Sequence, residues 1–343
     1  MESISSILKL KRACCALAVF AVAGTLATSA AAQTAPNVMK LSTATINDSQ
    51  HEWMKIFAAA VEKASNGRIK PEIYPASQLG AIPRQIEGVQ FGSIQVWVGP
   101  PEFLAGVDSR YEILSVPGLF KDSPHFVRTF QDPEFSAAFL ALGANRALKG
   151  LGLFLSGPIV FNTRTQMRQL ADLEGKKIRV LASPMQTEQM RRLKATSVPM
   201  SLGEVLPALQ QGALDGVISS TPVFTALRFY GAAKYLHETN HAMVSSIAVV
   251  SKSWFDKLPP DLQKVVTDAG QQASRDIAPW ALEFIVKQRA AWIAAGGVVT
   301  EPTAAERAQL MTLMQPIGAE VTAKKPEEKA IFELLVRAAK RAE

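Results

Sequence analysis

The sequence predicts an α/β protein built from two lobes. Short apolar strands alternate with amphipathic helices over residues 38–98, an order typical of a mostly parallel sheet covered by helices. Two long apolar segments, residues 153–161 and 244–251, follow, and we interpret them as strands that pass between the lobes. The same pattern also fits two ordinary core strands. Removal of the first 32 of 343 residues leaves 311, a length that suggests about two domains.

The first helix is the clearest element near the start of the chain. It follows a predicted strand over residues 38–44, and Asp48 or Ser49 is suited to cap its N-terminus. Gly67 stands where a glycine commonly ends a helix. One helical face is apolar and comprises Trp53, Ile56, Phe57, Ala60, Val61 and Ala64.

Later elements are predicted by the same rules. Strands are expected over residues 68–74 and 94–98, separated by a helix that begins at Pro83 and ends at Gly92. A very long helix is expected over residues 261–295, long enough at 1.5 Å per residue to span both lobes. Its sequence is followed by Thr303-Ala-Ala-Glu306, a capping box that predicts a further helix.

The first 32 residues predict a secretory signal peptide. A basic segment containing Lys9, Lys11 and Arg12 precedes an alanine-rich apolar stretch, and three alanines ending at Ala32 form a cleavage site. An N-terminal membrane anchor is the alternative, although the apolar stretch is short for one. We therefore expect export to the periplasm, with cleavage near Ala32.

Composition excludes several classes of function. Both cysteines lie in the signal peptide, so the mature chain can form no disulfide, thiolate metal site or cysteine nucleophile. The mature chain retains 34 basic and 29 acidic residues, a net charge of +5. Its basic residues are dispersed and form no stripe with interleaved aromatics, so nucleic-acid binding is not expected. We expect neither a metal nor a cofactor.

The segment around Arg179 carries most of the functional argument. Gly175 predicts a turn that leads into a short strand, in which Ile178 and Val180 alternate with Arg179. Alternation places Arg179 on the opposite strand face from these two apolar residues. If they face the core, Arg179 faces a cleft, where its planar guanidinium can clamp a carboxylate with two parallel hydrogen bonds.

Matching segments along nearly the whole mature chain resemble the solute-binding proteins of TRAP transporters, the dicarboxylate-binding (DctP-like) family. Each segment is weak alone, but their order and spacing together are distinctive. The segments are GRI at 67–69, YPASQLG at 74–80, Gly92, PGLF at 117–120, DLEGKKIRV at 172–180, EV at 204–205, ALQQGALDG at 208–216, TNH at 239–241, and Trp254 with Leu258-Pro259.

The resemblance implies a two-lobe periplasmic binding protein fold with crossing hinge strands and a long helix that spans both lobes. Lobe I is expected to comprise residues 33–156 plus 245–284, and lobe II residues 157–244 plus 285–343. It further implies that the cleft closes on a small organic acid, which is then delivered to the TRAP membrane permease. A periplasmic carboxylate-sensing subunit for a receptor kinase is the alternative.

The resemblance also assigns roles to residues. Its signature arginine falls on Arg179, which would pair with the ligand carboxylate, and its glutamate falls on Glu204, which would brace Arg179. A salt bridge at the surface or between the lobes is the alternative for Arg179, and a helix-start residue favoured by the helix dipole is the alternative for Glu204.

The chain departs from the sialic-acid-binding members at several ligand positions. Ile159 replaces their second arginine, Ser219 their ligand asparagine, and Ala182 a polar residue, while Leu202 precedes Glu204. Unpaired buried polar groups cost about 1–3 kcal/mol each, so a polyhydroxylated ligand fits poorly. We expect a less polar monocarboxylate instead, such as a keto or hydroxy acid with an aliphatic or aromatic tail.

Two further considerations complete the predicted function. Trp97 ends a predicted strand and could form an aromatic wall of the site, although ordinary core packing explains it equally. The histidines show no HExxH spacing, and neither a nucleophile elbow nor a glycine-rich phosphate loop occurs in the sequence. We therefore expect a binding protein, not an enzyme.

Overall fold

A computed structural model describes residues 37–181 and 183–343. The predicted signal peptide lies outside the described residues. The strands are β1 Asn37–Ser42, β2 Ile69–Tyr74, β3 Val96–Gly99, β4 Leu148–Pro158, β5 Val160–Thr163, β6 Lys177–Val180, β7 Thr196–Pro199, β8 Gly216–Ser219, β9 Tyr235–His237, β10 Met243–Ser251 and β11 Val298–Thr300.

The helices follow the same chain order and surround the strands. They are α1 Ser49–Ala64, α2 Ile82–Phe91, α3 Ser123–Phe130, α4 Pro133–Leu140, α5 Pro184–Arg192, α6 Leu202–Gln210, α7 Thr221–Ala226, α8 Lys252–Phe255, α9 Pro260–Ala294, α10 Ala304–Met314, α11 Ile317–Thr322 and α12 Pro326–Arg341. Short 3₁₀ segments connect several of them, including Pro101–Leu104 and Ser109–Ser115.

The strands form two separate sheets, and the predicted α/β class is confirmed. The first sheet has the order β2-β1-β3-β10-β4, and the second has the order β11-β9-β5-β8-β6-β7. Both sheets are mixed, which corrects the expectation of a mostly parallel sheet. The antiparallel neighbours arise at β4, β5, β9 and β10, where the chain passes from one sheet to the other.

The predicted first helix is confirmed as α1, which Asp48 caps and which ends at Ala64, three residues before Gly67. Asp48 caps α1 by accepting a hydrogen bond from the backbone N–H of His51 at 3.1 Å. Trp53 and Phe57 on the apolar face are fully buried, where they stack with ring centroids 4.8 Å apart. Gly67 has φ of 74°, the left-handed conformation that a glycine adopts most easily after a helix.

Both long apolar segments connect the two sheets. The chain leaves β4 in the first sheet and enters β5 in the second, and it returns from β9 in the second sheet to β10 in the first. β4 and β10 also pair with each other along their length. This topology supports the interpretation that the segments pass between two lobes, and the lobe boundaries themselves stay a prediction.

The first long segment is not one continuous strand as the sequence predicted. It divides at Ile159, which separates β4 from β5 and donates its backbone N–H to the carbonyl oxygen of Ala242 at 2.9 Å. Gly157, with φ of 139°, supplies a backbone conformation just before the break that other residues rarely adopt.

The long helix predicted over residues 261–295 is confirmed as α9. It packs on α1 and β4, and also on α7 and β11, so it contacts elements associated with both sheets. Gly270 allows the close approach, because a Cβ atom there would lie 2.9 Å from the backbone oxygen of Leu151 in β4. Across the described residues, every helix, α9 included, is too short or too polar to cross a membrane.

Replacing Gly270 with alanine should therefore destabilise the protein. Alanine favours a helix over glycine by about 1 kcal/mol. Forcing a methyl group against the β4 backbone costs typically about 1–3 kcal/mol, so we expect a net loss of stability in urea unfolding. Gly203→Ala is the matched control, because a Cβ at Gly203 in α6 meets no atom within 4 Å. A Gly270→Ala variant as stable as this control would contradict the close approach.

Candidate functional site

Strand β6 positions Arg179 as the sequence predicted. The turn at Gly175, which has φ of 73°, leads into β6, and Arg179 pairs with Val198 of β7 and Val217 of β8. Ile178 and Val180 are fully buried in the apolar core. Arg179 therefore projects from the other face of the sheet, where it lines a cavity.

Arg179 is a buried cation held by a neutral partner. Its side chain is 1% exposed, and its Nε and Nη2 atoms donate hydrogen bonds to the carbonyl oxygen of Met200 at 2.9 and 2.7 Å. Within the described part of the chain no carboxylate forms an ion pair with it. Burial lowers the pKa of Arg179 to about 10, while the negative charge of Glu204 opposes that change, so the guanidinium stays protonated at neutral pH.

Glu204 does not brace Arg179 by direct contact, which corrects that expectation. It lies at the start of α6 in a capping box, where its carboxylate accepts a hydrogen bond from the backbone N–H of Ser201 at 3.1 Å. Glu204 is exposed, and it influences Arg179 only through its negative charge. The carbonyl of Met200 provides the direct support instead.

Arg179 lines a small cavity between the two sheets, which offers about 20 Å³ to the centre of a water-sized molecule. Four of the predicted site residues line it together: Trp97, Arg179, Leu202 and Ser219. The other lining residues are Ala44, Thr45, Gln50, Ile82, Val98, Gly99, Pro100, Phe103, Leu181, Val223 and Val244. β3 and the start of α1 thus face β6, β8 and the start of α6 across the cavity.

The lining is largely apolar and carries one charge. Arg179 is its single ionisable side chain, and Thr45, Gln50 and Ser219 are its polar neutral side chains besides the indole N–H of Trp97. The chemistry of this lining suits one carboxylate attached to a mostly apolar body. Elsewhere among the described residues, no three histidine, cysteine or carboxylate side chains gather as a metal site would require.

Two predicted site residues are not found in this lining. Ile159 is 1% exposed and packs in the apolar core, and it is not among the residues that line the cavity. The expectation that Ile159 replaces a ligand-binding arginine is therefore not supported by its position. Ala182 lies outside the described residues.

Sequence reasoning missed the polar side chains that follow β1. Thr45 and Gln50 both line the cavity and are 2% exposed. A signal was available, because ligands of α/β proteins bind beyond the carboxyl ends of strands and these residues follow the carboxyl end of β1. The sequence alone did not show that this end faces Arg179 from the opposite sheet.

A larger groove, which offers about 280 Å³ to the centre of a water-sized molecule, lies on α3, α4, β4 and α9. Its walls include Phe126, Phe130 and Leu140, and its one ionisable side chain is Arg275. Arg275 is exposed and donates hydrogen bonds to the side-chain oxygen of Gln272 within α9. The groove borders the first sheet alone and holds no buried charge, so we regard the cavity around Arg179 as the candidate site.

A buried carboxyl group lies in the segment that forms one wall of the cavity. Glu102 belongs to the 3₁₀ segment between the lining residues Pro100 and Phe103, and it is 1% exposed. The Ser115 hydroxyl donates to its Oε1 atom at 2.5 Å. Burial raises the pKa of Glu102 to about 7, and the negative charge of Glu112 adds to this effect.

Comparison with known proteins assigns the family. The profile of the bacterial extracellular solute-binding proteins of family 7, named DctP, matches residues 42–325. The chain belongs to this family. Among its family 7 relatives, the 2,3-diketo-L-gulonate-binding periplasmic protein of Escherichia coli K12 is 30% identical over 66% of this chain and 69% of its own. The C4-dicarboxylate-binding periplasmic protein of Rhodobacter capsulatus is 27% identical over 88% of this chain and 92% of its own.

Solved family 7 structures share the fold. A TRAP periplasmic solute-binding protein from Desulfovibrio salexigens, solved with bound orotic acid, has a TM-score of 0.84 and 25% identity. The match covers 89% of this chain and 99% of that one. A TRAP periplasmic solute-binding protein from Shewanella oneidensis, solved with bound succinate, has a TM-score of 0.82 and 24% identity over 89% of this chain and all of that one. The two-lobe fold predicted from the sequence is confirmed by these likenesses.

The raised pKa of Glu102 predicts a pH-dependent stability. In the folded state Glu102 keeps its proton up to about pH 7, whereas an unfolded glutamic acid releases it near 4.5. The free energy of unfolding should therefore fall as the pH rises between these values, by about 3 kcal/mol at most. Glu102→Gln keeps an acceptor for Ser115 and removes the titrating charge. In urea unfolding, the free energy of unfolding of this variant should therefore rise relative to that of the wild type from pH 4 to pH 8. Parallel pH profiles would contradict a buried, titrating Glu102.

Proposed function

We propose that this family 7 protein is the binding component of a TRAP-type transporter, and that it captures a monocarboxylate with a mainly apolar body. Membership of the family supports the transport role. The buried Arg179 guanidinium, facing a cavity without an ion-pair partner among the described residues, carries the proposal for the ligand. A buried cation is costly unless an anion and further hydrogen bonds compensate for it, and a bound carboxylate supplies both.

The hydrogen bonds of Arg179 leave one edge of the guanidinium for the ligand. Its Nε and Nη2 atoms are both directed at the carbonyl of Met200, which occupies one edge of the planar group. A guanidinium has five N–H donors, so the two on Nη1 and the second on Nη2 remain. The Nη1–Nη2 end therefore matches the two oxygens of a carboxylate.

The rest of the lining restricts what the carboxylate is attached to. Each hydroxyl of a sugar acid needs a partner, and an unpaired buried hydroxyl costs about 1–3 kcal/mol. Ile82, Phe103, Leu181 and Val244 offer none. A zwitterionic amino acid is disfavoured as well, because no lining carboxylate is present to pair with its ammonium group. An aliphatic or aromatic acid with few other polar groups fits best.

Closure of two lobes on the acid is the proposed mechanism. Lobe I would comprise residues 33–156 plus 245–284, and lobe II residues 157–244 plus 285–343, so the cavity would lie between them. Closure excludes water from Arg179, which strengthens its attraction for the carboxylate. The ligand shifts the equilibrium by its greater affinity for the closed form, which would then dock on the membrane permease.

Export and the absence of catalysis belong to the same proposal. The signal peptide would be removed near Ala32 and the mature chain released into the periplasm. The cavity lining includes no histidine, cysteine or carboxylate that could act as a general base or activated nucleophile. We therefore propose binding and delivery of the acid without chemical change.

Substitution of Arg179 tests the proposed function. With the acid that most raises the melting temperature in a screen of organic acids, Arg179→Ala should weaken binding at least about 30-fold, since losing one partner of a buried charge pair costs about 2–5 kcal/mol. Arg179→Lys should also bind poorly, because it lacks the planar fork. Isothermal titration calorimetry gives the dissociation constants.

The exposed Lys177 on the same strand provides the control for Arg179. Lys177→Ala removes a positive charge two residues away and should bind the acid as the wild type does. Circular dichroism of each variant checks that the fold is kept. Wild-type affinity in both Arg179 variants would remove Arg179 from the site and overturn the proposed function.

A further inference from the structure

Gln50 is one of the deeply buried polar side chains of the cavity lining. It lies in the first turn of α1 and is 2% exposed. The Thr43 hydroxyl donates to its Oε1 atom at 2.7 Å, and the Thr45 hydroxyl lies 3.3 Å from the same atom. Among the described residues its amide nitrogen has no acceptor. The two N–H donors of this amide are therefore available to a ligand in the cavity.

The amide oxygen of Gln50 lies beside the hydroxyls of Thr43 and Thr45. Thr43 is fully buried, and the backbone N–H of Thr45 lies 3.4 Å from its hydroxyl oxygen. The Thr43 hydroxyl therefore already accepts one hydrogen bond and donates its own hydrogen to Gln50. The N–H₂ group is thus the end presented to a ligand.

A second donor without a partner lines the same cavity. The indole Nε1 of Trp97 is buried and makes no hydrogen bond to the described residues. Trp97 packs its ring over Gly99, where a Cβ atom would lie 2.3 Å from the ring, so the indole has little room to reorient. Gln50, Trp97 and Arg179 together present N–H donors, and the one strong acceptor nearby, the amide oxygen of Gln50, is already bonded to Thr43.

We propose that Gln50 is a specificity-determining residue whose amide N–H₂ group selects ligands that carry a carbonyl oxygen in addition to the carboxylate. This inference rests on the proposed function, because it takes Arg179 as the site of the carboxylate. A carbonyl oxygen accepts hydrogen bonds and brings no hydrogen that needs an acceptor of its own. The favoured ligand class is therefore the oxo-monocarboxylates with an apolar tail.

Related acids with the same carbon skeleton fit the donor set less well. A hydroxy acid brings one O–H that competes for the few hydroxyl acceptors of Thr45 and Ser219. An amino acid brings an ammonium group, which no lining carboxylate pairs. An unsubstituted acid leaves the N–H₂ group of Gln50 unpaired, and an unsatisfied buried donor is unfavourable.

Titration calorimetry with four matched acids tests the inference. The four probes are 4-methyl-2-oxopentanoate, 2-hydroxy-4-methylpentanoate, leucine and 4-methylpentanoate. A fifth acid, 4-oxopentanoate, tests a ligand whose carbonyl group lies further from the carboxylate. In the wild type an oxo acid should bind about tenfold more tightly than the unsubstituted acid, the equivalent of one hydrogen bond. Leucine should bind most weakly.

Two variants of Gln50 separate hydrogen bonding from packing. Gln50→Met keeps the length of the side chain and should abolish the preference for the oxo acid, because it removes the donor that the oxo acid uses and that 4-methylpentanoate leaves unpaired. Gln50→Glu keeps the shape but replaces the donors with acceptors, so it should bind the hydroxy acid better than the oxo acid.

Thr43→Val tests the positioning role of the threonine. It removes the hydroxyl that holds the amide of Gln50 and should reduce the ratio of oxo-acid to unsubstituted-acid affinity. A purely structural effect of Thr43 would weaken both acids equally and leave this ratio unchanged.

The outcomes distinguish this inference from the proposed function. Equal losses for oxo and unsubstituted acids in Gln50→Met, with binding still dependent on Arg179, would overturn the role of Gln50 and leave the proposed function intact. A preference for the hydroxy acid or for leucine in the wild type would also overturn it. If none of the acids binds, neither proposal stands for this class of ligand.

Discussion

The hydrogen bonds between Arg179 and the carbonyl of Met200 set the character of the whole site. They hold a fully buried cation in one orientation and occupy one edge of its guanidinium, which leaves the other end for an anion. A neutral carbonyl supports the cation without cancelling its charge. Had a carboxylate taken this place, the cavity would hold a satisfied ion pair with little attraction for a free acid.

The position of this cation depends on how the two sheets are joined. β4 and β10 pair with each other in the first sheet, and each continues directly into a strand of the second. α9 then packs against elements associated with both sheets, closely enough that Gly270 lies on the backbone of β4. The same connections bring the carboxyl end of β1 and the start of α1 opposite β6. Arg179 and the amide of Gln50 thus line the same cavity from opposite sides.

The cavity is expected to select ligands mainly by the groups that its lining lacks, namely carboxylates and most hydrogen-bond acceptors. Its walls are apolar, its charge is a single cation, and its buried amide and indole offer N–H donors. Under the proposed function these properties disfavour a sugar acid or a dicarboxylate, although some relatives are named for such ligands. Differences in a few lining side chains change the ligand while the scaffold of sheets and α9 stays the same.

Local patterns in the sequence predicted what depends on neighbours along the chain. Alternation in β6 placed Arg179 correctly, and caps and glycines placed α1 and α9. The break in the first long segment at Ile159 was missed because it involves a backbone hydrogen bond to Ala242, which is distant along the chain.

The remaining differences have the same origin in tertiary packing. Glu204 was assigned to Arg179, whereas its carboxylate caps its own helix and the supporting carbonyl belongs to Met200. Gln50 was missed because its exposure to the ligand requires the two sheets to face each other. No periodicity in the sequence reports that arrangement.

A crystal structure of the mature protein with its best-binding acid tests the central claim most directly. The account predicts that the two carboxylate oxygens lie about 3 Å from Nη1 and Nη2 of Arg179, with the Met200 carbonyl still bonded on the other edge. An acid bound with its carboxylate away from Arg179, for example in the groove beside Arg275, would contradict it.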